Sequence, residues 1–152
     1  MNSRSQQTIL INVRGFKYEV LLDSFANHPN SRLGKLRMAI KKQNPNELSL
    51  LCDRFDKDLN EYYFNRDPFV LNMILNFYVT KRLHMNQTDC VGFLKDELDY
   101  WQIEDNDFNS CCQVFYHNKM QNFEEISKIE QSALKAFNQI DDFGEYFFPE
   151  LR

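Results

Sequence analysis

Four residues in this chain have the types and the spacing to hold a metal. His84 is followed after five residues by Cys90, and twenty residues further on Cys111 and Cys112 stand side by side. Three thiols and an imidazole form one of the common ligand sets of a structural zinc site, which takes four soft or borderline donors in a tetrahedron. The spacing is not that of a zinc finger or a zinc ribbon. Adjacent residues on a helix point about 100° apart and in a strand point to opposite faces, so Cys111 and Cys112 can share one ion only at a turn or a helix start. His84 and Cys90 are separated by the beginning of a helix, so nothing forces both towards one ion on one chain. A ligand from a second subunit is one way to close the set. The plain alternative is an ordinary histidine with ordinary buried thiols. Cys52 stands outside the group and reads as core.

Other constellations are weaker. The stretch DKDLNE, residues 56–61, opens like a calcium loop, but Glu61 stands where the turn needs glycine and Asp67 where the bidentate glutamate belongs. Asp96, Glu97 and Asp99 fall within about one helical turn and read as a solvated face rather than an acid and base pair. A zinc deaminase would show His-x-Glu and Cys-x-x-Cys, whereas His84 is followed by Met85-Asn86 and the thiols are adjacent. No nucleophile with a readable base, no phosphate-binding glycine loop and no dinucleotide fingerprint is present. His28 and His117 stand alone and read as packing or surface residues. The residues favour a binding module over an enzyme.

The elements that must position these ligands can be read from pattern. In ILINVRGFKYEVLL, Ile9, Ile11 and Val13 are answered by Phe16, Tyr18 and Val20 across Arg14-Gly15, which predicts a β-hairpin. Ser31 caps a helix carrying Leu33, Leu36 and Ile40, expected to end near Asn44-Pro45. Two strands are expected next, in ELSLLCDRF and NEYYFN. Asp67-Pro68 starts a helix running to about Thr80. Its apolar face, Leu71, Ile74, Leu75 and Tyr78 widened by Val70, Met73 and Phe77, predicts a place at the centre of the core. Thr88 is expected to cap a helix over DCVGFLKDELDYW, and Asn109 or Ser110 one that starts at the cysteine pair. The dipole at such helix starts favours the thiolate form that a metal needs. Beyond Tyr116 the character changes, and Phe123, Ile126, Leu134 and Phe137 predict a long amphipathic helix that seeks a partner. The end FGEYFFPELR is greasy for a solvated tail.

Length and composition set the frame. With 152 residues, 43% of them hydrophobic, and only four prolines and four glycines, one globular domain is expected. A formal charge of −4 gives no broad attraction to phosphate backbones, so nucleic acid is not an expected partner. Arg32, Lys35, Arg37, Lys41 and Lys42 read as a solvated helix face. The start MNSRSQQTILINV lacks the pattern of a secretory signal, and PFVLNMILNFYV is far short of the roughly 20 apolar residues of a membrane span. A reducing cytoplasmic setting follows, with thiols or metal ligands rather than disulfides, and Asn86-Gln87-Thr88 is expected to stay unglycosylated.

The motifs resemble one family. EYYFNRDPFVLNMILNFYVTKRLH, then the His-x5-Cys-x20-Cys-Cys spacing and DELDYWQI, resemble the cytoplasmic tetramerisation domain of voltage-gated potassium channels, an α+β fold of BTB/POZ type. NVRGFKYEVLL resembles that domain's opening hairpin, and the similarity covers residues 8–117. The ligand pattern resembles the non-Shaker branches, and ELDYW with CCQVFYH resembles Shab-type subunits and their electrically silent relatives. The resemblance implies a fourfold ring that decides which subunits co-assemble, located on the cytoplasmic side of the plasma membrane. It implies a structural zinc between neighbours, bound by His84, Cys111 and Cys112 of one subunit and Cys90 of the next. Identical or related channel subunits are the implied partners, with no small-molecule substrate. Residues 118–152 would be a helical linker towards a membrane region outside this chain. Arg14, Lys81 and Gln102 replace glycines usual in the family, so a different hairpin turn is expected at Arg14. Two other readings stand beside this one: a soluble BTB-type adaptor or regulator, whose relatives generally lack the zinc pattern, and a zinc hydrolase, which would need an open coordination position.

Overall fold

The computed structural model describes residues 7–147, with side chains through residue 138. Two compact units, Met1–Gln113 and Val114–Arg152, make up the chain. The first is an α+β unit whose four-stranded sheet has the order β2-β1-β4-β3. Strands β1 (Thr8–Val13) and β2 (Phe16–Leu21) form the expected antiparallel hairpin, with Ile9 opposite Val20, Ile11 opposite Tyr18 and Val13 opposite Phe16. The alternation therefore puts Ile9, Ile11 and Val13 on one face, and all three are buried. Strand β4 (Glu61–Phe64) lies parallel to β1 on its other side, and β3 (Arg54–Asp56) is antiparallel to β4.

The hairpin turn corrects one expectation. Arg14 has φ 50° and Gly15 φ 94°, the double positive φ that matches the twist of the flanking strands. The turn keeps this form although one position is not glycine. Arg14 Nε donates to Asn65 Oδ1 at 2.9 Å, and the Gly15 N–H donates to Asn12 Oδ1 at 2.8 Å.

Helix α1 (Arg32–Lys42) starts where Ser31 Oγ accepts the Gly34 N–H at 3.1 Å, and it buries Leu33, Leu36 and Ala39. Its basic face is not simply solvated. Arg32 Nε donates to the Tyr100 carbonyl at 2.7 Å and Nη1 to that of Leu51 at 3.0 Å, while Arg37 and Lys41 both pair with Asp23. The expected strand in ELSLLCDRF is mostly a helix, α2 (Pro45–Leu51), and only Arg54 and Phe55 of that stretch enter β3. Asn44 Oδ1 accepts the N–H groups of Asn46 and Glu47, and Pro45 fills the first helical position, where its missing N–H costs nothing. That start outweighs the short apolar run.

Helix α3 (Pro68–Thr80) begins as expected, with Asp67 Oδ1 accepting the Phe69 and Val70 N–H groups, each at 2.9 Å. Its expected apolar face is turned inward: Leu71, Ile74, Phe77 and Tyr78 are buried, with Val70, Met73 and Leu75 half-buried beside them. Phe69 and Val79, outside that face, are each 76% exposed. Helix α4 (Val91–Trp101) has Cys90 as its N-cap, not Thr88, because residues Asn86 and Asp89 close a turn on themselves first. Glu97 also departs from the solvated reading. It is 3% exposed, pairs with Arg66 Nη2 at 2.9 Å and accepts the Trp101 Nε1–H at 3.2 Å.

One continuous helix, α5 (Ser110–Phe147), covers both the helix expected at the cysteine pair and the amphipathic stretch after it. Phe123, Ile126, Ile129, Leu134 and Phe137 are exposed on it. Residues 148–152 of the greasy end lie outside the described residues. No helix among the described residues is long and apolar enough to cross a membrane.

Candidate metal centre

The site is built where two distant segments are stitched together. Buried Leu83 and Phe108 form a parallel bridge, and the Asn109 N–H donates to the Leu83 carbonyl at 2.9 Å. His84, the next residue after Leu83, is thereby set against the start of α5. There the Asn109 carbonyl accepts the Cys112 N–H at 2.8 Å and the Gln113 N–H at 3.0 Å, which makes Cys111 and Cys112 part of the first helical turn. A helix start was one of the two settings in which adjacent thiols could share an ion.

Cys111 Sγ lies 3.3 Å from His84 Nδ1, Cys112 Sγ lies 3.7 Å from the same nitrogen, and the two sulfurs are 3.8 Å apart. These three form the one group of metal-competent side chains among the described residues. A tetrahedron with Zn–S bonds of about 2.3 Å and Zn–N of about 2.05 Å has edges of about 3.8 Å between sulfurs and about 3.5 Å between sulfur and nitrogen. The triad thus has the dimensions of one face of a zinc tetrahedron. The same 3.8 Å excludes a disulfide, whose sulfurs would be about 2.05 Å apart, and all four cysteines are free thiols.

Asn109 adds a polar partner that pattern reading took only for a helix cap. Its Nδ2 donates to Cys111 Sγ at 3.1 Å. That hydrogen bond, with a smaller one from Cys112 and the charge of Arg82, holds the Cys111 thiol below its ordinary value against the opposing effect of burial. An asparagine two residues before a candidate ligand was the signal available in the sequence. The thiolate is thereby favoured at Cys111.

Cys90 is exposed and stands apart from the triad at the N-cap of α4. It lines a groove of about 1000 Å³ together with Phe69, Met73, Asp89, Phe93 and His84. Cys52 is no ligand: it is buried, donates to the Leu48 carbonyl at 3.2 Å, and burial pushes its thiol up to about 11. The other isolated histidines are accounted for by packing, His28 against Phe77 with ring centres 4.5 Å apart and His117 against Tyr116 at 5.7 Å. The DKDLNE stretch closes a turn in which Asp56 Oδ1 accepts the Asp58 and Leu59 N–H groups.

The chain matches the family described as BTB/POZ domain over residues 9–111. It is similar to the delayed-rectifier potassium channel regulatory subunit KCNS3 of Mus musculus, with 30% identity covering 98% of this chain and 32% of the relative. It is similar also to the delayed-rectifier potassium channel regulatory subunit KCNS2 of Homo sapiens, with 35% identity over 82% of this chain and 25% of the relative. A third similarity is to the voltage-gated potassium channel regulatory subunit KCNG4 of Homo sapiens, 32% identical over 83% of this chain and 24% of the relative. The chain therefore spans about a third or less of the length of these relatives.

Proposed function

The chain belongs to the BTB/POZ domain family, and on that premise we propose that it assembles subunits of a voltage-gated potassium channel into a zinc-clasped ring. The observation that carries the metal part is the triad, three donors at tetrahedral spacing with the fourth candidate, Cys90, held elsewhere on the same chain. His84 Nδ1, Cys111 and Cys112 of one subunit would hold the ion together with Cys90 of the next. Zinc would supply structural cross-linking there and no catalysis, since four protein ligands leave no position for a reacting water. Two different surfaces meeting head to tail generate a closed ring when the rotation closes, and a donor triad facing a single cysteine is such an asymmetric pair.

Magnitudes support a clasp of this kind. Each chain carries a formal charge of −4, so like subunits repel on approach. Structural zinc sites contribute about 10–16 kcal/mol in small peptides, the same order as the roughly 4–15 kcal/mol that association costs in lost freedom. The groove beside Cys90, with exposed Phe69 and Phe93 on its wall, adds surface that a neighbour would cover. The partners are identical or related channel subunits, and the similarity to channel regulatory subunits suits a subunit that joins others rather than acting alone. The ring would sit on the cytoplasmic side, with residues 118–152 leading towards a membrane region. A soluble adaptor of BTB type remains the second reading, and the metal-ligand triad is what disfavours it.

Light scattering with metal analysis on the purified chain tests this. The expected result is a mass of four chains with zinc bound, falling to single chains when a chelator removes the ion. A metal-free single chain indifferent to chelator overturns the proposal.

A further inference from the structure

We infer that the triad takes up its ion on the free chain, before assembly, and that the fourth position is then a binding site for a small monothiol that Cys90 of a neighbour must displace. This rests on the zinc reading of the triad and adds a control to it.

The geometry carries the first half. The circle through His84 Nδ1, Cys111 Sγ and Cys112 Sγ has a radius of about 2.1 Å, so a point just off its plane lies about 2.3 Å from both sulfurs, a zinc–thiolate bond length. Three bonds can form with no movement of a side chain, and the remaining vertex lies off the triangle's plane. The triad is fixed by bonds that owe nothing to a neighbour: the Leu83–Phe108 bridge, the first turn of α5 and the Asn109 amide on Cys111. A free chain presents the same three donors as an assembled one.

The chemistry carries the second half. His84 and Cys111 are exposed, so solvent reaches the triad in a single chain. A site with two thiolates and an imidazole is soft, and a third thiolate suits it better than water does. A monothiol reproduces the donor that Cys90 would supply. Exchange is then balanced without any oxidant or reductant: one metal–sulfur bond breaks and one forms, and the proton lost by the Cys90 thiol ends on the departing thiol. Assembly becomes a competition between Cys90 and the free thiol, won by Cys90 at high subunit concentration because its approach also brings the two surfaces together.

Cobalt(II) reports the number of bound thiolates through its sulfur charge-transfer absorption, and the full chain bearing Cys90→Ser, at an N-cap that serine fills well, isolates the triad. This variant is expected to bind one cobalt per chain as a monomer. Reduced glutathione should then raise the charge-transfer absorption about 1.5-fold, from two thiolates to three. The unsubstituted chain, already supplied by a neighbour's Cys90, should show the higher absorption without glutathione. Cys111→Ser should abolish tight cobalt binding, with circular dichroism checking that each variant is folded. A Cys90→Ser chain that binds no cobalt, or whose spectrum ignores glutathione, overturns the inference while leaving assembly of the unsubstituted chain intact. An unsubstituted chain that stays monomeric with cobalt and responds to glutathione instead overturns the assembly reading and the displacement by Cys90 alike, and upholds the ion and thiol site of the free chain.

Discussion

Glu61 links three strands through one carboxylate. It accepts from Asn12 Nδ2 on β1 and from Lys17 Nζ on β2 at 2.8 Å, while its own backbone belongs to β4. The Asn12 hydrogen bond first, and then Lys17, holds this carboxyl below its ordinary value. A depressed carboxylate contributes stability that is present above the unfolded value, about 4.3, and is lost as pH falls through the lower folded value. Glu61→Gln should therefore weaken the metal-free protein against urea at pH 7, and the gap to the unsubstituted chain should narrow as pH drops below about 4. A gap that stays constant with pH contradicts the assignment. At this scale the sequence disclosed residue types but not their company. His84, Cys111 and Cys112 were legible because few residue types bind soft metals. The burial of Glu97 was not, because its partner Arg66 lies in the distant loop between β4 and α3 and no local pattern joins them.

Several elements end in residues that the backbone geometry would rather see as glycine, Gln43 closing α1 at φ 52° among them. Lys81 closes α3 at φ 58° and Gln102 closes α4 at φ 57°, both in the left-handed region, and Arg14 holds φ 50° in the hairpin. The left-handed conformation costs a residue with a Cβ about 1 kcal/mol or more, partly offset by the greater chain entropy of unfolded glycine. Lys81→Gly should accordingly raise stability by roughly 0.5–1 kcal/mol, read as a higher urea midpoint with unchanged slope. Gln102→Gly should gain less, since Gln102 Oε1 accepts from Lys35 Nζ at 2.7 Å. Element boundaries marked by caps were the most readable part of the fold: Ser31, Asp67-Pro68 and the hairpin each carry a local chemical signal. Helix α2 was misread because a short apolar run fits strand and helix alike, and Pro45 was taken only as the end of α1. Asn44, Pro45 and Glu47 together form a helix start as clear as the one at Asp67.

As a whole molecule the chain leaves uncovered what a single globular domain would hide. Phe16 and Phe69, with ring centres 6.1 Å apart, are exposed beside a groove whose wall also carries Cys90 and His84. Periodicity places Leu71, Ile74, Leu75 and Tyr78 of α3 in the core with Val70, Met73 and Phe77, and none of these is exposed; it says nothing of Phe69, which lies outside that face. The difficulty of closing four ligands on one chain was readable in the spacing. Its physical cause is visible in the fold, where the triad is gathered at the start of α5 and Cys90 caps α4. A tetrahedron shared between chains is tested most directly by mixing two defective chains. Cys90→Ser keeps the triad and lacks the single cysteine, whereas Cys111→Ser keeps the cysteine and breaks the triad. In a thiol-free buffer with a chelator that outcompetes the three-donor site of a single chain, neither alone should retain zinc, and an equimolar mixture should recover about one tightly held ion per two chains in a larger assembly. A mixture that retains no more zinc than its components contradicts a site shared between subunits.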